Sequence, residues 1–375
     1  MTRRVLFASE FFWPYVGGAE RLAAALLPAL RERGYEFLIV TSHDYLDLPD
    51  EERFQDIPLR RIAFRPALAS QDLDRVVEAR RQLAGLKAAF RPDLVHLNSV
   101  GPCDLFHLET ARGDRPPVLI TMQQRLSASQ VAVETAPGRT LRAADWVVGC
   151  SAAMLAEIRA LVPELTPRSS VVYNGIAVPP VSPGPLPWDP PRLICLGRLL
   201  SFKGFDVAIR AFAMLGERFP TARLAIGGDG PERPMLERQV RDLALGARVE
   251  FLGWIPPDAV PDLLNTASLV VLPSRWEGLP LVALESALMA RPVVATRVGG
   301  LSECVAHGET GFLVDAEDAP ALAEAIGRVL ADPRLGRRLG EAARVRALER
   351  FSLEQCASGY DALYRAMGSV AAGRE

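Results

Sequence analysis

The sequence predicts an α/β protein with two Rossmann-like, doubly wound domains, each built on a parallel sheet. Three observations support this prediction: the length, the alternation of short apolar strands with helices, and a proline-rich break near the middle. At 375 residues the chain exceeds the roughly 100 to 200 residues of a typical domain. Its apolar fraction of 49% is sufficient for two cores.

The first half alternates between short apolar runs and helical segments. Predicted strands cover residues 5–9, 37–42, 93–98, 118–122 and 146–151, and predicted helices cover residues 20–33 and 70–90. In the second of these helices, apolar residues recur at nearly helical spacing, namely Leu73, Val76, Val77, Leu83 and Phe90. Short β-branched strands separated by helices indicate βαβ units around a parallel sheet.

The middle of the chain, residues 173–192, is dense in proline and glycine (YNGIAVPPVSPGPLPWDPPR). Neither a helix interior nor a central strand tolerates this composition. We therefore expect one domain over residues 1–180 and a second over residues 181–350.

The same alternation restarts after the break. Predicted strands cover residues 193–197, 223–228, 249–253, 269–274 and 292–296, and predicted helices cover residues 206–218, 232–245 and 283–290. Open parallel sheets bind ligands beyond the carboxyl ends of their strands. We therefore expect the two domains to face each other across a cleft that holds the site.

Composition excludes several classes of protein. A net charge of −2 argues against a general nucleic-acid binder. Five cysteines without a C-x-x-C spacing favour neither a disulfide framework nor a zinc cluster, and indicate a reducing, cytoplasmic compartment. The arginines of the segment 70–90 make it a candidate for peripheral membrane contact. Because Asp72, Asp74 and Glu78 are interleaved with them, an ordinary solvated face is preferred.

A candidate phosphate site follows the strand at 193–197. Gly197 ends this strand, Arg198 follows it at once, and Lys203 comes five residues after Arg198. A glycine allows close approach of the backbone, and two fixed cations suit a diphosphate. Lysine is informative here because the chain has only one other, Lys87. The alternative is an ordinary solvated loop between a strand and a helix.

A second candidate segment carries two glutamates. Glu277 follows the strand at 269–274, and Glu285 lies eight residues further, inside the next helix. Pro280 stands where a helix can begin, so backbone N–H groups near it point towards the space beside Glu277. Such a set can hold a polyol and an anion, with Glu285 placed to accept both hydroxyls of a ribose. Alternatively, both glutamates cap the helix or pair with arginines.

Other motifs are weaker. Gly17 and Gly18 form a strand-turn-helix compatible with phosphate, although a plain tight turn explains them equally well. Asp229, in the GGDGP segment of residues 227–231, is expected to turn the chain rather than bind a metal. The D-x-D motif at Asp72 falls inside a predicted helix. No metal site is predicted.

Together these segments resemble glycosyltransferase family 4, the retaining enzymes of the GT-B fold that use nucleotide-diphosphate sugars. The match covers nearly the whole chain. It depends on GGAE at 17–20, GRLLSFKG at 197–204, GGDGP at 227–231, and above all the E-x7-E from Glu277 to Glu285.

The resemblance implies roles for individual residues. Arg198, Lys203 and Glu277 are the implied catalytic residues, in which the two cations neutralise the donor pyrophosphate and the glutamate contacts the transferred sugar. Implied donor-binding residues are Gly17, Gly18, Gly197, Gly278, Leu279, Pro280, Leu281 and Glu285. The C-terminal helix, residues 351–370, is expected to pack back on the first domain. No cofactor is implied beyond the nucleotide-sugar substrate.

One position departs from the family pattern. Many relatives have a histidine after the strand corresponding to residues 118–122, where this chain has Gln123. Gln123 cannot act as a general base but can bind a sugar hydroxyl. His96, near another strand end, is a candidate substitute, or it is satisfied by backbone groups.

The function that follows is retaining, metal-independent transfer of a hexose-type sugar to an unidentified acceptor hydroxyl. We expect front-face attack, in which the departing phosphate accepts the acceptor's proton, with a covalent intermediate on Glu277 as the rival. Alternatives are a nucleotide-sugar epimerase, a phosphorolytic enzyme, or a catalytically silent protein that binds a nucleotide sugar or a protein partner. The acceptor pocket is expected near Phe12, Trp13, His43, Asn98 and Gln123. Neither the donor base nor the oligomeric state follows from the sequence.

Overall fold

The chain divides into two compact units, which are described separately. The structure, a computed structural model, describes residues 2–15, 17–43, 46–110 and 115–372. Unit 1 comprises Met1–Gly175 and Leu353–Glu375, and unit 2 comprises Ile176–Ser352. The first boundary lies within the proline-rich segment, five residues before the predicted position, and the second lies two residues after the predicted one.

The N-terminal part of unit 1 alternates strands and helices. Its elements are β1 (Arg3–Ser9), α1 (Gly18–Glu32), β2 (Tyr35–Ser42), β3 (Glu51–Phe54), β4 (Ile57–Ile62), α2 (Phe64–Ala69), α3 (Leu73–Phe90), β5 (Leu94–Leu97), α4 (Pro102–Glu109), β6 (Val118–Met122), α5 (Ala136–Ala143), β7 (Trp146–Gly149), α6 (Ala152–Leu161) and β8 (Ser169–Val171).

The sheet of unit 1 has the order β3-β4-β2-β1-β5-β6-β7-β8 among the described residues. It is mixed rather than purely parallel, because β3 pairs antiparallel with β4. Gln55 and Asp56, with φ of 46° and 65°, form the tight turn between these two strands. The order of strands reverses at β1, whose neighbours are β2 and β5.

The predicted helix over residues 70–90 begins later than expected. Gln71 has a φ of 55°, which interrupts the helix, and Asp72 caps α3 by accepting a hydrogen bond from the Asp74 N–H at 2.9 Å. The D-x-D motif therefore lies at a helix N-terminus and not inside a helix. The predicted apolar face is also wrong in part, because Leu73 is 78% and Val77 48% exposed.

Unit 2 repeats the alternation. Its elements are β9 (Arg192–Leu196), α7 (Phe205–Leu215), β10 (Arg223–Gly227), α8 (Arg233–Asp242), β11 (Val249–Gly253), α9 (Val260–Asn265), β12 (Leu269–Leu272), α10 (Leu281–Leu288), β13 (Val293–Thr296), α11 (Leu301–Cys304), β14 (Gly311–Val314), α12 (Ala319–Ala331) and α13 (Pro333–Arg350).

The sheet of unit 2 has the order β11-β10-β9-β12-β13-β14 among the described residues, and its strand pairs are parallel. The chain winds outward in one direction from β9 to β11, then crosses to β12 and continues in the other direction. The loops that leave the carboxyl ends of β9 and β12 start side by side at this reversal. Such a switch point is where doubly wound sheets bind ligands.

The chain ends with helix α14 (Leu353–Ala372), which belongs to unit 1. Tyr360 and Tyr364 on this helix are 1% and 0% exposed, and they pack into the same core as Phe7 and Leu27. Burial of such aromatic side chains is a large favourable contribution to folding. The C-terminal helix is therefore an integral part of the first α/β unit.

Among the described residues, no helix combines the length and the hydrophobicity needed to cross a bilayer. All five cysteines are buried thiols.

Candidate functional site

The candidate site of unit 2 begins where β9 ends. The Gly197 N–H donates to the Gly227 carbonyl at 3.0 Å, and the Leu199 N–H donates to the Asp229 carbonyl at 2.9 Å. The GGDGP segment is thus bonded through its backbone to the segment that carries Arg198. Asp229 accepts a hydrogen bond from the Gly230 N–H at 2.7 Å, as expected of a residue that turns the chain.

Lys203 lies at the end of a short 3-10 turn, Ser201–Lys203, that Gly204 terminates. Gly204 has a φ of 66°, and a Cβ at this position would come within 2.0 Å of the Pro273 carbonyl oxygen. Only glycine therefore allows the turn after β9 to lie directly against the backbone after β12. This close approach brings Lys203 beside the loop that contains Glu277.

Lys203 and Glu277 form an ion pair, with Nζ and Oε1 2.7 Å apart. Their side chains are 17% and 8% exposed, so water screens the pair only weakly. The Ser274 hydroxyl donates to the same Oε1 at 2.7 Å. Both contacts use Oε1, and among the described residues Oε2 of Glu277 has no such contact, so it can accept hydrogen bonds from a ligand.

Arg275 connects the loop that contains Glu277 to the segment around Lys203. Its guanidinium group donates to both carboxylate oxygens of Asp206 at 2.9 Å, and it also contacts Glu317 and the Ser201 carbonyl. The hydrogen bond with Asp206 is the main reason that the pKa of Arg275 is raised. The Arg275 N–H donates to the Phe202 carbonyl at 2.7 Å. These contacts hold the Lys203 turn against the Glu277 loop.

Helix α10 begins four residues after Glu277, at Leu281. Pro280 is its N-cap, and within the described residues no side chain caps this end. Gly278, Leu279, Pro280 and Leu281 are all buried and lead into the first turn, whose amides carry the positive end of the helix dipole. Glu285 lies one turn further along and is 8% exposed. The arrangement can hold an anion beside a carboxylate that accepts hydroxyl groups.

Gly299 and Gly300, after β13, close the other side of the Glu277 loop. The Gly300 N–H donates to the Glu277 carbonyl at 3.2 Å. Gly299 has a φ of 42°, and a Cβ there would approach the Glu277 carbonyl oxygen to 1.9 Å. The position of Glu277 therefore depends on the absence of a side chain at residue 299.

Arg198 differs from Lys203 in its surroundings. It is exposed, and among the described residues its side chain has no ion pair or hydrogen bond. Gly197 directly precedes Arg198 in the sequence, and its ideal Cβ position is 3.9 Å from Lys203 Cε, so it lies against the lysine stem. The segment therefore presents one exposed cation and one ion-paired cation at the same strand end.

In unit 1, the predicted residues occupy different environments. Gly17 is the N-cap of α1, in extended conformation with a φ of −152°, and Gly18 is the first residue of the helix. Gln123 follows β6 and exchanges two hydrogen bonds with Asn174, at 3.3 and 3.1 Å. Its amide is thus oriented by a neighbour and half-buried. Phe12, expected near the acceptor pocket, is fully buried in the core instead.

His96 is not placed to contact a substrate, which corrects the sequence prediction. It is 0% exposed within β5, its Nδ1 lies 2.6 Å from the Tyr364 hydroxyl, and its Nε2 lies 2.8 Å from Thr121 Oγ1. Burial lowers the pKa of His96 to about 3, so the ring is neutral at physiological pH. Both ring nitrogens are used inside the core, and the partners are side chains rather than backbone groups.

Sequence reasoning missed several residues that shape the site. Those in unit 2 are Ser274, Arg275, Gly299 and Gly300. The paired glycines after a predicted strand were a usable signal, whereas the role of Arg275 depends on partners far away in the chain.

Two family matches together cover most of the chain. Residues 16–179 match "Glycosyltransferase Family 4", and residues 183–346 match "Glycosyl transferases group 1". The alpha-D-kanosaminyltransferase of Streptomyces kanamyceticus is 36% identical over 180 residues, which are 48% of this chain and 47% of the relative. A GDP-mannose-dependent alpha-(1-6)-phosphatidylinositol monomannoside mannosyltransferase of Mycolicibacterium smegmatis is 40% identical over 43% of this chain and 44% of its own length. The aligned part thus spans about half of these relatives.

Solved structures show the same fold over the whole chain. Sucrose-phosphate synthase from Thermosynechococcus elongatus has a TM-score of 0.82 and 26% identity, covering 98% of this chain and 100% of that one. Anabaena HepE, solved in complex with UDP, has a TM-score of 0.79 and 22% identity, covering 97% and 100%. Both units therefore have the architecture of the GT-B fold, and the chain belongs to glycosyltransferase family 4.

Proposed function

We propose that the chain is a retaining, metal-independent glycosyltransferase that moves a hexose-type sugar from a nucleotide-diphosphate donor to an acceptor hydroxyl. The observation that carries this proposal is the ion pair between Lys203 and Glu277 at 2.7 Å, beside the uncapped start of α10. A cation and a carboxylate held this close can contact the two parts of one donor, its pyrophosphate and its sugar.

Each residue has a proposed task. Arg198 and Lys203 bind the pyrophosphate, and the amides at the start of α10 bind the sugar or its adjacent phosphate. Glu277 accepts hydrogen bonds from sugar hydroxyls through Oε2, and Glu285 accepts those of the ribose. Unit 1 is proposed to bind the acceptor, with the Gln123 amide as one hydroxyl contact.

The proposed reaction needs no protein base. The bond from the anomeric carbon to the phosphate oxygen breaks, and the acceptor oxygen bonds to the same face of that carbon. The acceptor's proton passes to the departing phosphate oxygen, and Arg198 with Lys203 stabilises the remaining negative charge. Loss of one such donor group costs roughly 100- to 1,000-fold in comparable electrostatic sites. An inverted product would contradict this stereochemistry.

Binding of the donor is the first test. Purified protein is titrated with UDP-, GDP- and ADP-sugars without metal, and its thermal transition is followed. A ligand at about 100 times its Kd stabilises the folded state by about 2.7 kcal/mol. The panel includes GDP-mannose because one relative is named for it.

Matched variants give the test its specificity. Lys203→Ala should abolish the shift for the nucleotide that binds. Arg241→Ala removes an exposed cation from the last turn of α8, at the opposite edge of the same sheet, and should leave the shift unchanged. If no nucleotide sugar binds to the folded wild-type protein, the proposal fails. Donor binding without turnover on any acceptor would instead support the catalytically silent alternative.

A further inference from the structure

A cavity of about 940 Å³ opens on unit 1 at the amino ends of its parallel strands. Helix α3 forms one wall, and the other walls come from the start of β1, the end of α4 and the residues just before β5 and β6. The loops proposed to bind the acceptor follow the carboxyl ends of the same strands. The cavity therefore lies at the opposite edge of the sheet from them.

The wall of this cavity is strongly cationic. Among the residues of the wall that the structure describes, two side chains are carboxylates, Asp93 and Glu109. Six of the described ones are basic, namely Arg4, Arg80, Arg81, Lys87, Arg91 and Arg115. Because the whole chain has a net charge of −2, this concentration of positive charge is local.

Ion pairs only partly neutralise these cations. Arg80 and Glu109 are 3.5 Å apart with side chains 44% and 43% exposed, and Arg4 lies 3.8 Å from Asp93. Arg81 lies 2.8 Å from Glu78, and Arg115 lies 2.7 Å from Asp145. Exposed pairs of this kind are weak and are screened by salt. Within the described residues, neither Lys87 nor Arg91 forms an ion pair.

Lys87 is the most enclosed cation of the cavity. Its ammonium group donates to the His107 carbonyl at 2.9 Å and to Thr110 Oγ1 at 2.7 Å. Both partners are neutral, and an ammonium group has a third proton to donate. Burial lowers the pKa of Lys87 to about 7, so the amine is only partly protonated at neutral pH, and an anion bound beside it would favour the ammonium form.

The pKa of His107 is affected by the same cations. It lines the cavity, is 3% exposed, and its Nδ1 has no hydrogen-bond partner among the described residues. Burial, with smaller contributions from Lys87 and Arg115, lowers its pKa well below the usual range. An anion in the cavity would offset the effect of these cations.

We propose that this cavity binds a small phosphate-bearing anion with at least two negative charges, at a site separate from the donor site. Guanidinium groups and an ammonium group match phosphate oxygens in both charge and geometry. Ala84 and Ala88 lie between the cations on α3 and leave room for such a group. Lys87 is recessed, so a small solute reaches it, whereas a flat membrane surface does not.

Calorimetry with inorganic pyrophosphate tests the proposal. The donor site would also bind this probe, so the experiment uses the Arg198→Ala/Lys203→Ala protein as its background. Pyrophosphate should still bind to that protein, and Lys87→Gln should weaken the binding about tenfold. Arg75→Gln is the matched control, because Arg75 lies on the same helix outside the cavity.

Lysine labelling provides a second readout. The chain has only two lysines, Lys87 and Lys203. Trace acetylation followed by mass spectrometry should show that pyrophosphate protects Lys87 in the Arg198→Ala variant. If Lys87→Gln does not fold, Arg91→Asn serves instead, since asparagine tolerates the left-handed backbone at this position, where φ is 49°.

Three outcomes would overturn the proposal. One is the absence of pyrophosphate binding to the folded background protein. Another is an unchanged affinity in Lys87→Gln or Arg91→Asn. The third combines two results: pyrophosphate does not bind, and the protein sediments with phosphatidylglycerol vesicles but not with phosphatidylcholine vesicles. That sedimentation would have to be lost in Lys87→Gln or Arg91→Asn. In that case the cations serve a membrane surface.

Discussion

Replacement of Glu277 by glutamine should lower stability and yet tighten nucleotide binding. The substitution keeps the shape of the side chain but removes the charge that lies 2.7 Å from Lys203 Nζ. Breaking a buried ion pair costs about 3–5 kcal/mol. Since Lys203 keeps some access to water and the glutamine oxygen can still accept its hydrogen bond, we expect about 2 kcal/mol. The transition of unit 2 should therefore fall by about 4–8 °C.

Glu277→Gln should strengthen nucleotide binding although it lowers stability. A carboxylate about 6 Å from a phosphate charge repels it by about 3 kcal/mol at an effective dielectric constant of about 20. Screening by salt reduces this value, so a nucleoside diphosphate should bind Glu277→Gln about tenfold more tightly. Turnover should fall by about 100-fold, because the contact from Oε2 to the sugar is weakened.

Calorimetry with the nucleoside diphosphate, thermal unfolding and initial rates measure these three quantities. The double variant Lys203→Met/Glu277→Gln completes a mutant cycle, and it should be more stable than Glu277→Gln alone because no unpaired charge remains. Unchanged stability combined with weaker nucleotide binding in Glu277→Gln would refute the reasoning. Lys203 would then not depend on Glu277 for its counter-charge.

Three further predictions concern single positions. The pKa of His96 is about 3 in the folded protein, below the 6.5 of an unperturbed histidine. The unfolded state therefore binds a proton more readily than the folded state, and the protein loses stability as the pH decreases from 6.5 towards 3. The loss is about 2 kcal/mol at pH 5, and urea unfolding should show that His96→Gln reduces the difference between pH 7 and pH 5 by this amount. Gly299→Ala should lower both the temperature of thermal unfolding and the affinity for nucleotide. Gly308 is the control, because it has a φ of 81° and no atom lies within 4 Å of an added Cβ. Gly308→Ala should therefore cost only the backbone strain of about 1 kcal/mol. Arg275→Leu removes the bidentate pair with Asp206. It should lower the free energy of unfolding by about 1–2 kcal/mol, since the Arg275 side chain is 32% exposed and water weakens the pair. Calorimetry should also show weaker nucleotide binding. Equal losses for the two glycine variants, or full nucleotide affinity in the arginine variant, would contradict these mechanisms.

The sequence was sufficient to predict the strands that support the site of unit 2. Residues 193–197 and 269–274 were predicted as strands, and the observed strands are Arg192–Leu196 and Leu269–Leu272. A central parallel strand is buried on both faces, so its apolar run is unbroken and easily found. The hairpin of β3 and β4 was missed because residues 51–62 lie at the edge of the sheet and contain many charges.

His96 shows where local patterns fail. Its position near the end of an apolar run is compatible with a ligand contact or with a core position. The contact that identifies it as a core position is the one with Tyr364, a residue of α14 that is 268 positions away in the chain. A pattern confined to neighbouring residues contains no information about this partner. The same limitation explains why Asp206 and Glu317 could not be assigned to Arg275.

The pairing of Lys203 with Glu277 depends on strand order rather than on either motif. The two residues are 74 positions apart, and each motif alone describes a loop after a strand. Because β9 and β12 are neighbours at the reversal of the sheet, their loops start about 5 Å apart. Gly204 and Gly299 then allow the backbones to touch. A sheet in which another strand separated β9 from β12 would contain the same motifs, but the cation and the carboxylate could not act on one donor molecule.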